Sequence, residues 1–378
     1  MKFRHVSAAV RLSSRSAAQA NVWCVSPVDT AGVRERVEKA LARFLDEQRA
    51  LLAGIDPALN DVVDTIESFV LGGGKRLRPA FAYWGFRGAG GEDSEAITAA
   101  VAALEFVQAS ALIHDDVMDA SDTRRGEPAV HRRFERMHTM QGWDGDPKAF
   151  GAGAAILLGD LCLTWSDELL RQSGLAVPAL MRARPVFDLM RTEVIAGQYL
   201  DVHAQATADN SLQRASTVAR YKSAKYTVER PLLLGAAMAD AGPEVKAAYS
   251  GYGLPLGEAF QLRDDILGVF GDPSQTGKPA GDDLREGKRT YLVAAAFAAA
   301  DPATSAQLRA GLGDPGLDET GVARLREIIL STGAVARTEE RIANLTEASL
   351  AAVSRVRLAG GTAQMLTELA RAATLRSG

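Results

Sequence analysis

The sequence predicts an all-α protein, a single large helical domain built on a core of long helices. Apolar residues recur at helical spacing, as in Val33, Val37, Leu41, Phe44, Leu45 and Leu52. The stretch from Ile97 to Ile113 is predominantly apolar, holds neither proline nor glycine, and reads as a buried helix. No segment of comparable length alternates with period two, and strand-type punctuation is absent. No low-complexity linker divides residues 31–378. Residues 1–30 read as a tail, disordered or the product of a mis-assigned start.

The elements follow from local signals. Asp56-Pro57 supplies an N-cap and a first helical position for a helix reaching about Leu71. Gly72-Gly73-Gly74 breaks it, and Lys75-Arg76-Leu77-Arg78-Pro79 opens the next. Glu92-Asp93-Ser94 caps the helix that ends at Asp119. Beyond a loop over 120–130 and a glycine-rich stretch at 142–147, helices are expected over Phe150–Leu170 and Val186–Val202. Arg220 to Thr227 falls in a helix that Pro231 should kink. Another helix runs from about Glu244 to Phe270 and is stopped by Gly271-Asp272-Pro273. The C-terminal third is alanine-rich helix, broken near Gly311–Pro315 and Gly333.

Composition excludes several classes. A net charge of -4 offers no basic field for nucleic acid. No apolar run reaches bilayer-spanning length without polar interruption, so no integral membrane segment is expected. The two cysteines, Cys24 and Cys162, have no Cys-x-x-Cys or histidine partner nearby. A disulfide framework and a zinc site are therefore not expected, which suits a reducing, cytoplasmic compartment. Residues 1–28 carry Lys2, Arg4, Arg11 and Arg15 with no acid before Asp29, a composition shared by organelle transit peptides.

The chemistry gathers at two helix ends. Asp115 and Asp119 are four residues apart, hence one turn above each other on the same helix face, with Asp116 beside them. Carboxylates that close share a proton or bind a hard cation. Asp264 and Asp265 repeat the arrangement at the end of a second apolar helix, and two such ends facing across a cavity would hold a cluster of cations. Arg124 and Arg125 add guanidinium donors suited to phosphate oxygens. Lys75 and Arg78 read as further phosphate clamps, three residues apart on one helix face; the Ser or Thr of a P-loop is missing after Lys75. Together these residues suggest a magnesium–diphosphate site.

In this order and spacing the motifs resemble the trans-isoprenyl diphosphate synthases, or polyprenyl synthetases. The matching segments are Gly73–Pro79, His114–Asp119 with Arg124-Arg125-Gly126, Gly197-Gln198-Tyr199-Leu200-Asp201, Lys222-Ser223, and Phe260–Asp265 with Lys278 and Lys288. The resemblance implies an isoprenoid-synthase fold around a deep apolar cavity, a homodimer, and Mg2+, three ions with substrate bound. It implies 1'-4 condensation of isopentenyl diphosphate with an allylic diphosphate. Asp115, Asp119 and Asp264 would hold the metal, supported by Asp116 and Asp265. Arg124, Lys222 and Lys278 would contact the allylic diphosphate, with Lys288, Ser223 and Gln261 nearby. Lys75, Arg78, Gln108 and Arg125 would hold isopentenyl diphosphate, while Gln198 and Asp201 support the site. Gly268 stands where many members carry a third aspartate, so weaker magnesium binding is expected.

Product length should be set below the first motif. Ser110 and Ala111 are small where farnesyl-making members place an aromatic, so the floor is expected deeper, near Val107, Phe106 or Leu104. One helical turn, about 5.4 Å, approximates one isoprene unit, and geranylgeranyl diphosphate is the expected product, ahead of longer chains and farnesyl diphosphate. A terpene cyclase would not need the second cationic group of Lys75, Arg78 and Gln108. A non-catalytic subunit would show degraded aspartate motifs, and a purely structural bundle leaves the clustered cations unexplained.

Overall fold

The computed structural model describes residues 32–271, 281–314 and 316–374. Its N-terminal half is helix α1 (Val33–Ala53), α2 (Asn60–Leu71), α3 (Leu77–Gly88), α4 (Glu95–Met118), α5 (Val130–Gln141), α6 (Pro147–Gln172) and α7 (Val177–Ala206). Then come α8 (Leu212–Val218), a π-helical segment over Ala219–Glu229, α9 (Arg230–Met238) and α10 (Pro243–Phe270). The C-terminal part holds α11 (Asp282–Arg285), α12 (Tyr291–Ala299), α13 (Pro302–Gly311), α14 (Glu319–Ser331), α15 (Ala334–Val353) and α16 (Thr362–Thr374). Among the described residues the strands are limited to β1 (Thr123–Arg124) and β2 (Glu127–Pro128), one antiparallel pair.

Caps set the boundaries. Ser94 accepts a hydrogen bond from the Ile97 amide at the start of α4, and Asp146 from the Lys148 amide at the start of α6. Asp56 caps a short 3-10 turn, Pro57–Leu59, rather than α2 itself. Helix α7 begins earlier than its apolar pattern suggested and carries Pro185 inside it. The kink expected at Pro231 is replaced by wide π turns before it, and Pro231 itself sits in the first turn of α9, where its missing N–H costs little.

Burial is nearly complete along α4, with Ile97, Val101, Leu104 and Phe106 at 0% exposure in the middle of a large cluster shared with α1, α3, α6 and α9. A second cluster joins the end of α10 to α12, α14 and α15. By length and composition alone α4 and α6 could each cross a membrane, a test that the core helix of a soluble protein also passes. The polar interruptions in them are too few to break the run. In α4 72% of the most apolar window is buried, as befits a core helix, but in α6 only 39% is.

Candidate active site

The last turns of α4 carry the first aspartate motif. Asp115 Oδ1 accepts hydrogen bonds from Gln198 Nε2 at 2.8 Å and Lys222 Nζ at 3.2 Å, and the same ammonium lies 2.6 Å from Asp201 Oδ2. Burial pushes the Asp115 carboxyl up, yet Lys222, Lys288 and Arg124 together hold it far below the usual range. Asp116 is fully buried and gripped by Arg124, whose Nε donates to Oδ1 at 2.9 Å. Burial, with Asp115 one turn away, raises Asp119 despite Lys288 Nζ at 3.1 Å.

The β1–β2 hairpin explains how two arginines diverge. Arg125 (φ 57) and Gly126 (φ 81) are both left-handed, as a two-residue hairpin turn with right-handed strand twist requires. Arg124 is returned to Asp116, while Arg125 Nη1 donates to the Gly73 carbonyl at 3.0 Å. Burial lowers the Arg125 pKa, and the nearby Arg76, Arg124 and Arg78 add to that against Glu105. Such a gathering of guanidiniums favours an anion.

On α10, Asp265 is buried and accepts from Gln261 Nε2 at 2.7 Å and the Tyr291 amide at 3.2 Å, while burial pushes its carboxyl up to about 7. Lys288 ties the first motif to the short helix α11 that follows α10. Its ammonium lies 3.1 Å from Asp119, 2.8 Å from Glu286 and 4.0 Å from Asp283. The Asp283 carboxylate in turn fills the space over Gly268, where an added Cβ would meet Oδ2 at 1.9 Å. Gly268 is one turn beyond Asp264 on the same helix. The two aspartate-bearing ends thus face one another.

The expectation that Lys75 and Arg78 share one helix face fails. Gly73 and Gly74 have φ of 110° and 129°, Arg76 is itself left-handed, and the helix starts only at Leu77, which leaves Lys75 in the loop. Arg78, in the first turn, donates to Thr227 Oγ1 at 2.8 Å and lies 4.4 Å over the Tyr226 ring. Tyr226 donates to Gln108 Oε1 at 3.0 Å, so the ring joins two residues that sequence reasoning had grouped by resemblance alone. Arg76, passed over in the sequence, is buried against Glu105 at 2.6 Å and the Val70 carbonyl at 2.7 Å, and so fixes the glycine loop to α4. Lys278 lies outside the described residues.

Beneath Asp115 opens a largely apolar cavity of about 570 Å³. Val107, Ser110, Ala111 and Asp115 line it from α4, Leu163 from α6, Arg191, Val194 and Gln198 from α7, and Lys222, Ser223 and Tyr226 from the π segment. Leu104 and Phe106 do not line it. Phe106 turns into the core against Phe44 and Trp165, with ring centroids at 5.3 and 5.9 Å, and Leu104 is buried one turn below Val107. The π segment can approach this closely because its neighbours lack side chains: a Cβ on Gly197 would sit 2.3 Å from the Lys222 amide nitrogen, and one on Gly257 2.5 Å from the Ala224 Cα. His114 also borders the cavity, its Nε2 donating to the Ile156 carbonyl at 3.1 Å.

The donor set fits a magnesium ion. Among the described residues no three His, Cys, Asp or Glu side chains form a ready-made cage. Mg2+ characteristically binds through one or two carboxylates with phosphate oxygens and water completing its shell. Asp115 on the cavity wall and Asp119 one turn on, with Asp264 near the end of α10, are carboxylates of that kind.

Comparison with known proteins agrees. The polyprenyl synthetase family model matches residues 60–329. The chain is 33% identical to the geranylfarnesyl diphosphate synthase of Aeropyrum pernix over 75% of its length and 84% of the relative's. It is 30% identical to the octaprenyl diphosphate synthase of Escherichia coli over 69% and 76%. A crystal structure of geranylgeranyl pyrophosphate synthase from Corynebacterium glutamicum, complexed with isoprenyl diphosphate and magnesium, shares 46% identity. That superposition has a TM-score of 0.89 and covers 91% of this chain and 99% of the other. With both aspartate helices inside the matched span and this fold around them, the chain belongs to the polyprenyl synthetase family and is a prenyltransferase.

Proposed function

We propose that the protein performs magnesium-dependent 1'-4 condensation of isopentenyl diphosphate with an allylic diphosphate, and that its product is geranylgeranyl diphosphate. The observation that carries this reading is the apolar cavity with Asp115, Gln198 and Lys222 at its mouth and small residues, Ser110 and Ala111, on the turn below. An allylic chain enters tail-first and leaves its diphosphate at the two aspartate-bearing helix ends. Bound Mg2+ supplies positive charge against the diphosphate as the allylic C–O bond breaks. Lys222, Arg124 and Lys288 add cationic charge there, and Lys278 joins them in this reading. Arg125, Lys75, Arg78 and Gln108 hold isopentenyl diphosphate on the other side, where the guanidiniums already crowd. The wide-turned backbone near Ser223 faces the cation, in this reading with Gln261, and the apolar wall excludes water that would quench it.

The test is product chromatography after incubation of isopentenyl diphosphate with each allylic starter, with and without Mg2+. A twenty-carbon main product is expected, and fifteen carbons would reject the depth argued here. Ser110→Phe should shorten the main product by at least one unit, because the ring enters the first turn of the wall.

The homodimer and the cytoplasmic location belong to the same proposal. Leu157 (67% exposed) on α6 and Met181 (71%), Ile195 (59%) and Tyr199 (67%) on α7 leave an apolar face uncovered, and a second copy laid against α6 and α7 would bury it. Light scattering on the purified protein should give twice the chain mass, and Leu157→Asp should halve it. Cys162, a buried free thiol, is in keeping with a reducing compartment.

A further inference from the structure

Helix α4 lines the cavity no deeper than Val107, and α7 lines it from the opposite side. Helix α6 runs antiparallel to α4: His114 meets Ile156 and Asp160 near the mouth, and Phe106 meets Trp165 further in. The short connection after Gln172 makes α7 antiparallel to α6 and hence parallel to α4. Gln198 of α7 is level with Asp115 through their 2.8 Å hydrogen bond. Arg191, seven residues earlier, therefore lies roughly 10 Å deeper. That is the level of Val107, the deepest residue of α4 in the lining.

Arg191 is the charged side chain that α7 brings to that depth, and it is held there from three directions. It pairs closely with Asp188 one turn back, reaches Asp167 of α6 at 3.6 Å, and lies with its guanidinium carbon 4.5 Å over the Phe187 ring. A guanidinium tethered so cannot swing aside without giving up two carboxylates and a ring face. A prenyl tail that grows to this depth meets a polar, tethered group, and pressing methyls against it strips water from a charge and gives no apolar contact in return. We infer that Arg191 is the floor of the tunnel and the residue of α7 that ends chain growth. This inference rests on the prenyl-elongation reading above.

The bland alternative is that Arg191 only ties α6 to α7. The two separate in a product assay on the full chain. In Arg191→Ala, and in Arg191→Met where the alanine variant proves unfolded, the product one isoprene unit longer than the parent's main product should rise roughly tenfold or more relative to that main product. The partners Asp167 and Asp188 are partly solvent-exposed and can be left unpaired. A tie without a specificity role would lower the melting temperature and leave the product ratio unmoved, and that result overturns the inference. An unsubstituted enzyme that forms no prenyl product would overturn the elongation reading itself, and with it the inference.

Discussion

Gly268 shows how one missing side chain is accommodated. The Asp283 carboxylate occupies the volume that a Cβ at this position would need, 1.9 Å from the nearest oxygen. Restoring the aspartate common in the family, Gly268→Asp, should therefore destabilise the protein by about 1–3 kcal/mol through overpacking, made worse by a third carboxylate beside Asp283 and Asp265. Chemical denaturation would measure the loss, and Asp283→Gly in the same chain should recover much of it. The sequence displayed the glycine but not its neighbour, since Asp283 lies fifteen residues further along the chain. The same holds for Tyr226 between Arg78 and Gln108, and for Arg191 opposite α4: each is an ordinary helical residue until packing brings distant faces together.

Among the elements, those with strong periodicity were the legible ones. Both aspartate helices, the capped start of α4 and the glycine break before α3 stand where the sequence put them. What periodicity cannot show is a change in helical pitch. The π turns over Ala219–Glu229 have no local signature beyond the proline downstream, because tertiary contacts with α7 and α10 select them. Gly197 is one of those contacts. Gly197→Ala would place a methyl 2.3 Å from the Lys222 amide nitrogen and push the segment off α7. The expected result is a stability loss of about 1–3 kcal/mol and a fall in activity larger than that of an alanine placed on the exposed face of α7, since Lys222 would shift from Asp115 and Asp201. Steady-state kinetics beside a denaturation curve decides it. The start of α7 was missed for a different reason: its N-terminal turns alternate proline, arginine and alanine, and tertiary packing of Ala183 and Phe187 makes them helical.

At the level of the whole molecule, the acidic mouth brings its own counter-ions. Lys222 spans Asp115 and Asp201, Lys288 spans Asp119 and Glu286, and Arg124 holds Asp116, so these carboxylates are each met by a cation that the fold itself supplies. The architecture is consequently not a metal-nucleated one. A chelator should stop turnover completely and shift the melting temperature by less than about 2 °C, and parallel activity and calorimetry runs in EDTA would show whether the two come apart. Lys222 and Lys288 and any divalent ion arriving with a diphosphate would compete for the same carboxylate oxygens. A fold whose acidic mouth is already charge-balanced by its own lysines should survive magnesium shortage intact and resume turnover when the ion returns.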